Sequence, residues 1–164
     1  MKKVAVIMGS DSDLPIVEKA IDTLKDFGVP YEVHVFSAHR TPKESGEFAQ
    51  NAAQNGFGVI IAAAGMAAHL AGAIAANTIL PVIGIPVSAK VLDGMDALLS
   101  TVMMPPGMPV ATVGINGAAN AALLAIQILA VEDSELSEKF IAFRKAGYDK
   151  VLEKNKAIEE KYNN

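Results

Sequence analysis

The sequence predicts an α/β fold in which a doubly wound parallel sheet is covered by helices on both faces. Short apolar runs of strand length recur along most of the chain, and helix-length segments separate them. Glycine, proline or polar residues end most of these runs. Because neighbouring parallel strands need a crossover connection, this alternation of strand and helix indicates a parallel sheet between two helical layers.

The first part of the chain contains three strand and helix pairs. The predicted strands are Lys3–Met8, Tyr31–Phe36 and Gly58–Ala63. The first predicted helix begins near Ser12 or Asp13, the second runs from Pro42 to about Gln54, and the third covers Met66–Ala76. After Lys3 the first run, KVAVIM, is apolar at every position, which is typical of a strand buried on both faces. Pro15 falls in the first turn of the first helix, where proline is tolerated.

The second part adds two strands and ends in a helix of different amino-acid composition. The predicted strands are Pro81–Ile85 and Val110–Val113, and the predicted helices are Asp93–Thr101 and Ala118–Ala130. From Asp133 the chain is highly charged, and one apolar stripe runs along it: Leu136, Phe140, Phe143, Val151 and Ile158. We predict a long C-terminal helix over about 133–161, broken near Gly147, which packs on its own domain or on a neighbouring subunit. We expect residues 1–164 to form a single domain.

Composition and net charge exclude several classes of function. The chain has no cysteine, so it offers no disulfide, thiolate nucleophile or cysteine metal site, and a reducing cytoplasm suits it. A formal net charge of -4 argues against a nucleic-acid surface, which would need clustered Lys and Arg. The apolar run after Lys3 is too short for a signal peptide.

Two long tracts of the chain carry no charged residue. Asp, Glu, Lys and Arg are absent between Glu47 and Lys90 and again between Asp96 and Glu132. A membrane span is one explanation, and Phe57–Ala76 is the best window. That window contains a histidine and three glycines, and prolines interrupt the sequence that follows, so we predict no membrane association.

The uncharged helices instead predict self-association. A helix on the surface of a monomer needs a polar face, yet Met66–Ala76 and Ala118–Ala130 have almost none. We therefore expect each to be covered by its own sheet on one side and by another subunit on the other. The prediction is a homo-oligomer with a large apolar interface.

Ligands of open parallel sheets bind beyond the carboxyl ends of the strands, so the residues after each strand are the candidate site. The first strand leads into GSDSD, where Gly9 permits close backbone approach and Ser10 and Ser12 offer hydroxyls to a phosphate. The aspartates would repel a phosphate unless they point elsewhere. Simple capping of the next helix by Ser12 or Asp13 is the alternative interpretation.

The second and third strands lead into two histidine-bearing loops. Arg40 could bind a phosphate or carboxylate through its planar fork, and His39 could exchange a proton near neutral pH or only fill a strand end. The third loop, AAAGMAAHL, is built of small residues that permit close approach to a ligand. In it His69 is predicted one turn inside the helix as a packing residue, and mid-strand His34 has no assigned role.

Together these loops resemble a known family. MGSDSD, SAHRTP and AGMAAHLAG, followed by PVIGIPV, LDGMDALLS, MPPGMPVATVGI and GAANAALLAIQIL, are similar to the N5-carboxyaminoimidazole ribonucleotide mutases (the PurE family, class I) from about Val4 to Leu129. The resemblance implies a flavodoxin-like fold, a cytoplasmic homo-octamer with active sites between subunits, and an isomerase of purine (IMP) biosynthesis. It implies a ribonucleotide substrate and no metal, ATP or organic cofactor.

The resemblance also implies roles for individual residues. His39 matches the family's general acid and base, and Asp13 matches the residue that binds the ribose. The phosphate-binding positions correspond to Ser10, Ser12, Ser37 and Arg40, and Ala38 lies among them. The loop around the imidazole and its carboxylate corresponds to Ala64, Gly65, Ala67, Ala68, His69 and Leu70.

The sequence departs from the common family pattern at two places and leaves three alternatives. Met66 stands where glycine is usual, and VGINGAAN is shorter than in many relatives. A second class of the family carboxylates aminoimidazole ribonucleotide directly with carbon dioxide, but Arg40 and AAHL favour the mutase class. A receiver-like domain would need an aspartate where Ala62–Ala64 stand. A flavodoxin-like electron carrier would need aromatic residues to stack on a flavin, and these make up 5% of the chain.

Overall fold

The computed structural model describes residues 1–163 and confirms the predicted α/β class. Five parallel strands form one sheet in the order β2-β1-β3-β4-β5. The strands are β1 (Lys3–Met8), β2 (Tyr31–Val35), β3 (Phe57–Gly65), β4 (Val82–Val87) and β5 (Ala111–Thr112). The first strand of the chain therefore lies inside the sheet, and the chain winds outward from it in both directions.

Six helices cover the sheet. They are α1 (Leu14–Phe27), α2 (Pro42–Asn51), α3 (Leu70–Ala75), α4 (Met95–Val102), α5 (Ala118–Ala130) and α6 (Ser134–Tyr162). The predicted bounds of β1 and α5 are those observed, whereas β5 is only two residues long. No helix within residues 1–163 is both long and apolar enough to span a membrane.

The sheet separates two apolar cores because successive side chains of each strand point to opposite faces. On β1, Val4 and Val6 pack toward α1 and α5, whereas Ala5 and Ile7 pack toward α2 and α3. All four side chains are fully buried. An apolar run without alternation, as in residues 4–8, is therefore required by a strand that is covered on both sides.

The third helix begins later than predicted. We expected a helix over Met66–Ala76, but α3 begins at Leu70. Met66 has a φ of 54°, which a right-handed helix does not allow, so the backbone turns after β3 before the helix can start. As a consequence His69 is the N-cap residue of α3, so its predicted position one turn inside the helix is wrong, and the residue is exposed rather than packed.

The C-terminal helix is continuous, so the predicted break near Gly147 is wrong. An ion pair between Lys145 and Asp149, 2.6 Å apart, spans this turn of α6 and offsets part of the weak helix propensity of glycine.

Only the first part of the predicted stripe on α6 packs against the rest of the chain. The Phe140 and Phe143 rings lie 5.8 and 5.4 Å from the Phe27 ring of α1. Farther along, Val151 and Ile158 are exposed. The second half of α6 thus projects from the body of the subunit.

Candidate active site

A pocket of about 900 Å³ lies at the carboxyl ends of the strands. Four loops line it, those after β1, β2, β3 and β4. The predicted site residues that line it are Ser10, Ser12, Asp13, Ser37, Ala38, His39, Arg40, Ala64, Gly65, Ala67, His69 and Leu70. The volume falls in the range of pockets that hold small molecules, and the sheet order explains why segments far apart in sequence meet here.

The loop after β1 presents two hydroxyls and one buried carboxyl group. The Oγ atom of Ser10 accepts hydrogen bonds from the backbone N–H of Ser12 at 3.3 Å and from the Ser12 hydroxyl at 2.9 Å. Asp13 is only 9% exposed, and this burial raises the pKa of its carboxyl group above 3.8. The negative charge of Asp11 raises the pKa further, while a hydrogen bond with the backbone of Ser10 opposes both effects.

Helix capping accounts for part of this loop but not in the predicted way. Ser10 caps the short 3-10 turn Asp11–Asp13 that precedes α1. Asp13 is the residue before α1, but its side chain makes no capping hydrogen bond. Its carboxyl group therefore borders the pocket without serving the helix, which leaves it available to a ligand.

The loop after β2 is a tight turn that leads into α2. The backbone N–H of Ser37 donates to Thr41 Oγ1 at 2.9 Å, and that of Arg40 donates to Ser37 Oγ at 3.2 Å. Thr41 also donates its backbone N–H to the Ser37 carbonyl at 2.9 Å. These bonds fix the turn that carries His39 and Arg40, both exposed at the pocket. Thr41 was not among the predicted site residues, although it stands just before Pro42 at the start of the helix.

Two histidines from different loops meet in the wall of the pocket. His39 Nε2 lies 2.8 Å from His69 Nδ1, and the two rings are nearly perpendicular, at 80°. At that distance one nitrogen carries a proton and the other accepts it. The pair remains hydrogen-bonded when His39 carries a second proton, provided that His69 stays neutral. An imidazole that can be charged or neutral without losing its partner suits proton exchange with a ligand.

The loop after β3 supplies small residues and one that turns away. Ala64, Gly65 and Ala67 line the pocket. Ala68 does not line it: its side chain is 2% exposed, and its backbone N–H donates to Ser100 Oγ of α4 at 2.9 Å. The Ser100 hydroxyl thus anchors this loop. Because Ser100 lies far from Ala68 in the sequence, no sequence pattern indicated this role.

The loop after β4 was absent from the sequence-based site but forms one side of the pocket. Ser88, Ala89 and Lys90 line it directly after the strand. Two signals could have found them: they follow a predicted strand, and Lys90 ends a long uncharged tract. Lys90 is the second cationic side chain at the pocket after Arg40.

The fold and the site together define a flavodoxin-like small-molecule-binding protein, with its pocket over the carboxyl ends of a parallel sheet. The sequence profile of the AIR carboxylase family matches residues 3–150. The chain belongs to this family. The structural similarity agrees, since a crystal structure of Treponema denticola PurE superposes with a TM-score of 0.86, at 28% identity over 98% of both chains.

Named relatives share about half of their residues with this chain. The N5-carboxyaminoimidazole ribonucleotide mutase of Pyrococcus abyssi is 57% identical over 144 residues, which cover 88% of this chain and 83% of the relative. A phosphoribosylaminoimidazole carboxylase of Saccharomyces cerevisiae is 52% identical over 156 residues, which cover 95% of this chain but 27% of that protein.

Proposed function

We propose that this protein is an N5-carboxyaminoimidazole ribonucleotide mutase, an isomerase of purine biosynthesis. It moves the carboxylate of N5-carboxyaminoimidazole ribonucleotide from the exocyclic nitrogen to ring carbon C4 and forms 4-carboxy-5-aminoimidazole ribonucleotide. The observation that carries the proposal is the hydrogen-bonded pair of His39 and His69 in a pocket lined by small residues. Relatives that share about half of their residues and bear this name support it.

The loops after β1 and β2 suit the ribose phosphate end of the substrate. Ser10, Ser12 and Ser37 supply hydroxyls, and the guanidinium of Arg40 supplies positive charge. Asp13, whose pKa is raised by burial, suits hydrogen bonds with the ribose hydroxyls better than contact with phosphate. This division of roles assigns the Asp13 carboxyl group to the ribose and the hydroxyls to the phosphate.

The chemistry requires one proton to move twice. Protonated His39 gives its proton to the exocyclic nitrogen; the carbon–nitrogen bond of the carbamate then breaks, the nitrogen keeps the electron pair, and carbon dioxide is released. C4 of the ring next attacks the carbon dioxide and forms the new carbon–carbon bond. Neutral His39 removes the C4 proton, which restores the aromatic ring, so a single acid and base serves both steps.

The surroundings of His39 suit these two steps. The His69 Nδ1 atom accepts a hydrogen bond from His39 Nε2 and so holds the His39 ring in place while the charge of that ring changes. Ala64, Gly65 and Ala67 offer no polar side chain to hold water beside the reacting atoms, which favours keeping released carbon dioxide close to C4.

The proposal includes a cytoplasmic homo-octamer of single-domain subunits, with the active sites between subunits. A lone subunit exposes large apolar side chains that water does not favour. Those of α4 and the following residue are Met95, Leu99, Val102 and Met103. Those of the projecting half of α6 are Val151, Leu152 and Ile158, and we propose that this half packs on a neighbouring subunit.

The deciding experiment supplies each candidate substrate separately, without ATP, and follows formation of the C4-carboxylated ribonucleotide. A mutase converts N5-carboxyaminoimidazole ribonucleotide and does not respond to added bicarbonate. If aminoimidazole ribonucleotide with carbon dioxide is the better substrate, the direct carboxylase is the correct alternative. If neither is converted, the proposed function is wrong, and a flavodoxin-like or receiver-like binding domain becomes the alternative.

A further inference from the structure

The shortened segment before α5 connects to the candidate site through one side chain. The amide of Asn116 accepts a hydrogen bond from the Ser88 backbone N–H at 2.9 Å and donates one to Ser88 Oγ at 2.8 Å. The Asn116 backbone N–H donates to the Pro86 carbonyl at 2.8 Å. We call this set of three bonds the Asn116 clasp. It ties the start of the β4 loop to the segment that differs from the common family pattern.

The backbone of Asn116 shows why asparagine suits this position. Its φ of 58° lies in the left-handed region, which asparagine tolerates better than most residues. At this turn the side-chain amide of Asn116 reaches Ser88. The clasp thus fixes the base of the loop that carries Lys90 into the pocket.

Three strand spacings of the sheet separate the strand that precedes Lys90 from the strand that precedes Arg40, at the proposed phosphate end of the pocket. Arg40 follows β2, Lys90 follows β4, and β1 and β3 lie between these strands. Three strand spacings place the two strand ends about 14 Å apart. The β3 loop, by contrast, is the direct neighbour of the β4 loop, since Gly65 pairs with Val87 in the sheet. Lys90 therefore lies on the side where the heterocycle, not the phosphate, is expected.

Within the described residues, no acidic side chain pairs with Lys90. Its ammonium group forms no salt bridge or hydrogen bond with residues 1–163. The substrate class carries two anionic groups, a phosphate at one end and a carboxylate on the heterocycle at the other. One cationic side chain at each end of the pocket complements such a ligand.

We propose that Lys90, held by the Asn116 clasp, binds the carboxylate of the heterocycle. This inference rests on the proposed function and adds to it a binding residue from the β4 loop. It predicts that Lys90 distinguishes a ribonucleotide that bears the carboxylate from one that lacks it. Arg40, at the phosphate end, should contribute equally to both.

The test measures binding of two matched ligands by titration calorimetry. These are 4-carboxy-5-aminoimidazole ribonucleotide and aminoimidazole ribonucleotide, which differ only by the carboxylate. Lys90→Met removes the charge and keeps much of the side-chain length, Lys90→Arg keeps the charge, and Lys19→Met removes the charge of an exposed lysine on α1. All are compared with the full unmodified chain at equal ionic strength.

We expect Lys90→Met to weaken binding of the carboxylated ligand about tenfold or more and to leave the other ligand within about twofold, as loss of one charge-assisted hydrogen bond predicts. Lys90→Arg should restore most of the difference, and Lys19→Met should change neither ligand. Equal weakening of both ligands, or no weakening, would overturn the assignment of Lys90. If the unmodified protein binds neither nucleotide, the proposed function itself fails.

The clasp has its own variant. Asn116→Gly keeps a residue that tolerates positive φ and removes both side-chain hydrogen bonds to Ser88. We expect the same selective loss for the carboxylated ligand as in Lys90→Met, but smaller. Unchanged selectivity in this variant would show that Asn116 does not position Lys90.

Discussion

At Met66, replacement by glycine should give a more stable protein than replacement by alanine, which is the reverse of the order usual inside a helix. Met66 has a φ of 54° and is 65% exposed, so its side chain gains little from burial while its backbone is in the left-handed region. A residue with a Cβ atom pays about 1–2 kcal/mol there, and glycine does not. The extra freedom of glycine in the unfolded chain offsets about 0.4–1 kcal/mol of this. We expect Met66→Gly to be about 0.5–1 kcal/mol more stable than Met66→Ala.

Gly147 provides the matched control with the opposite sign. It lies inside α6, its φ is not positive, and a Cβ atom added there would meet nothing within 4 Å. Gly147→Ala should therefore stabilise the protein by about 0.5–1 kcal/mol, as helix propensity predicts.

The assay is urea unfolding of all variants at one protein concentration, because association of subunits would make the unfolding midpoint depend on protein concentration. The reasoning is refuted if Met66→Ala is as stable as Met66→Gly while Gly147→Ala behaves as expected. The glycine that is usual at this loop position would then need an explanation other than backbone conformation.

Three further predictions concern the pocket. His39→Asn should fold and assemble normally yet lose turnover about 10²–10⁴-fold, and near-normal turnover would refute the proton role. Arg40→Ala should mainly raise KM, with kcat much less affected, in steady-state kinetics. Because burial raises the pKa of Asp13 in the folded protein above 3.8, the stability that its protonated form contributes is present below this value and lost as pH rises through the folded pKa. Asp13→Asn should therefore gain stability relative to the unmodified protein as pH increases, and parallel urea midpoints across pH would contradict this.

The sequence predicted the sheet and most of the helices because burial on two faces leaves a strong pattern. After Lys3, strand β1 is buried and apolar at every position, and α5 has the same bounds in prediction and structure. The predicted start of α3 was wrong because the periodicity of apolar residues does not report the sign of a residue's φ angle. Met66 is compatible with a helix by composition, and only its positive φ excludes it.

The candidate site was predicted in part for a similar reason. Residues directly after β1, β2 and β3 could be assigned to one pocket, since parallel strands place their carboxyl ends together. The approach of His39 to His69 could not be predicted, because it depends on how two loops fold after their strands end. The role of Ser100 as an anchor for the Ala68 backbone depends on α4, which lies far along the chain.

Charge around Asp13 links the buried carboxyl group to ligand binding. The carboxyl group is 9% exposed, and its neutral form is already favoured by burial and by the charge of Asp11. A phosphate bound at Ser10 and Ser12 would add negative charge close by and would raise the pKa of Asp13 further, because like charges disfavour ionisation. Binding of a phosphorylated ligand should thus be accompanied by proton uptake when Asp13 is ionised in the free protein.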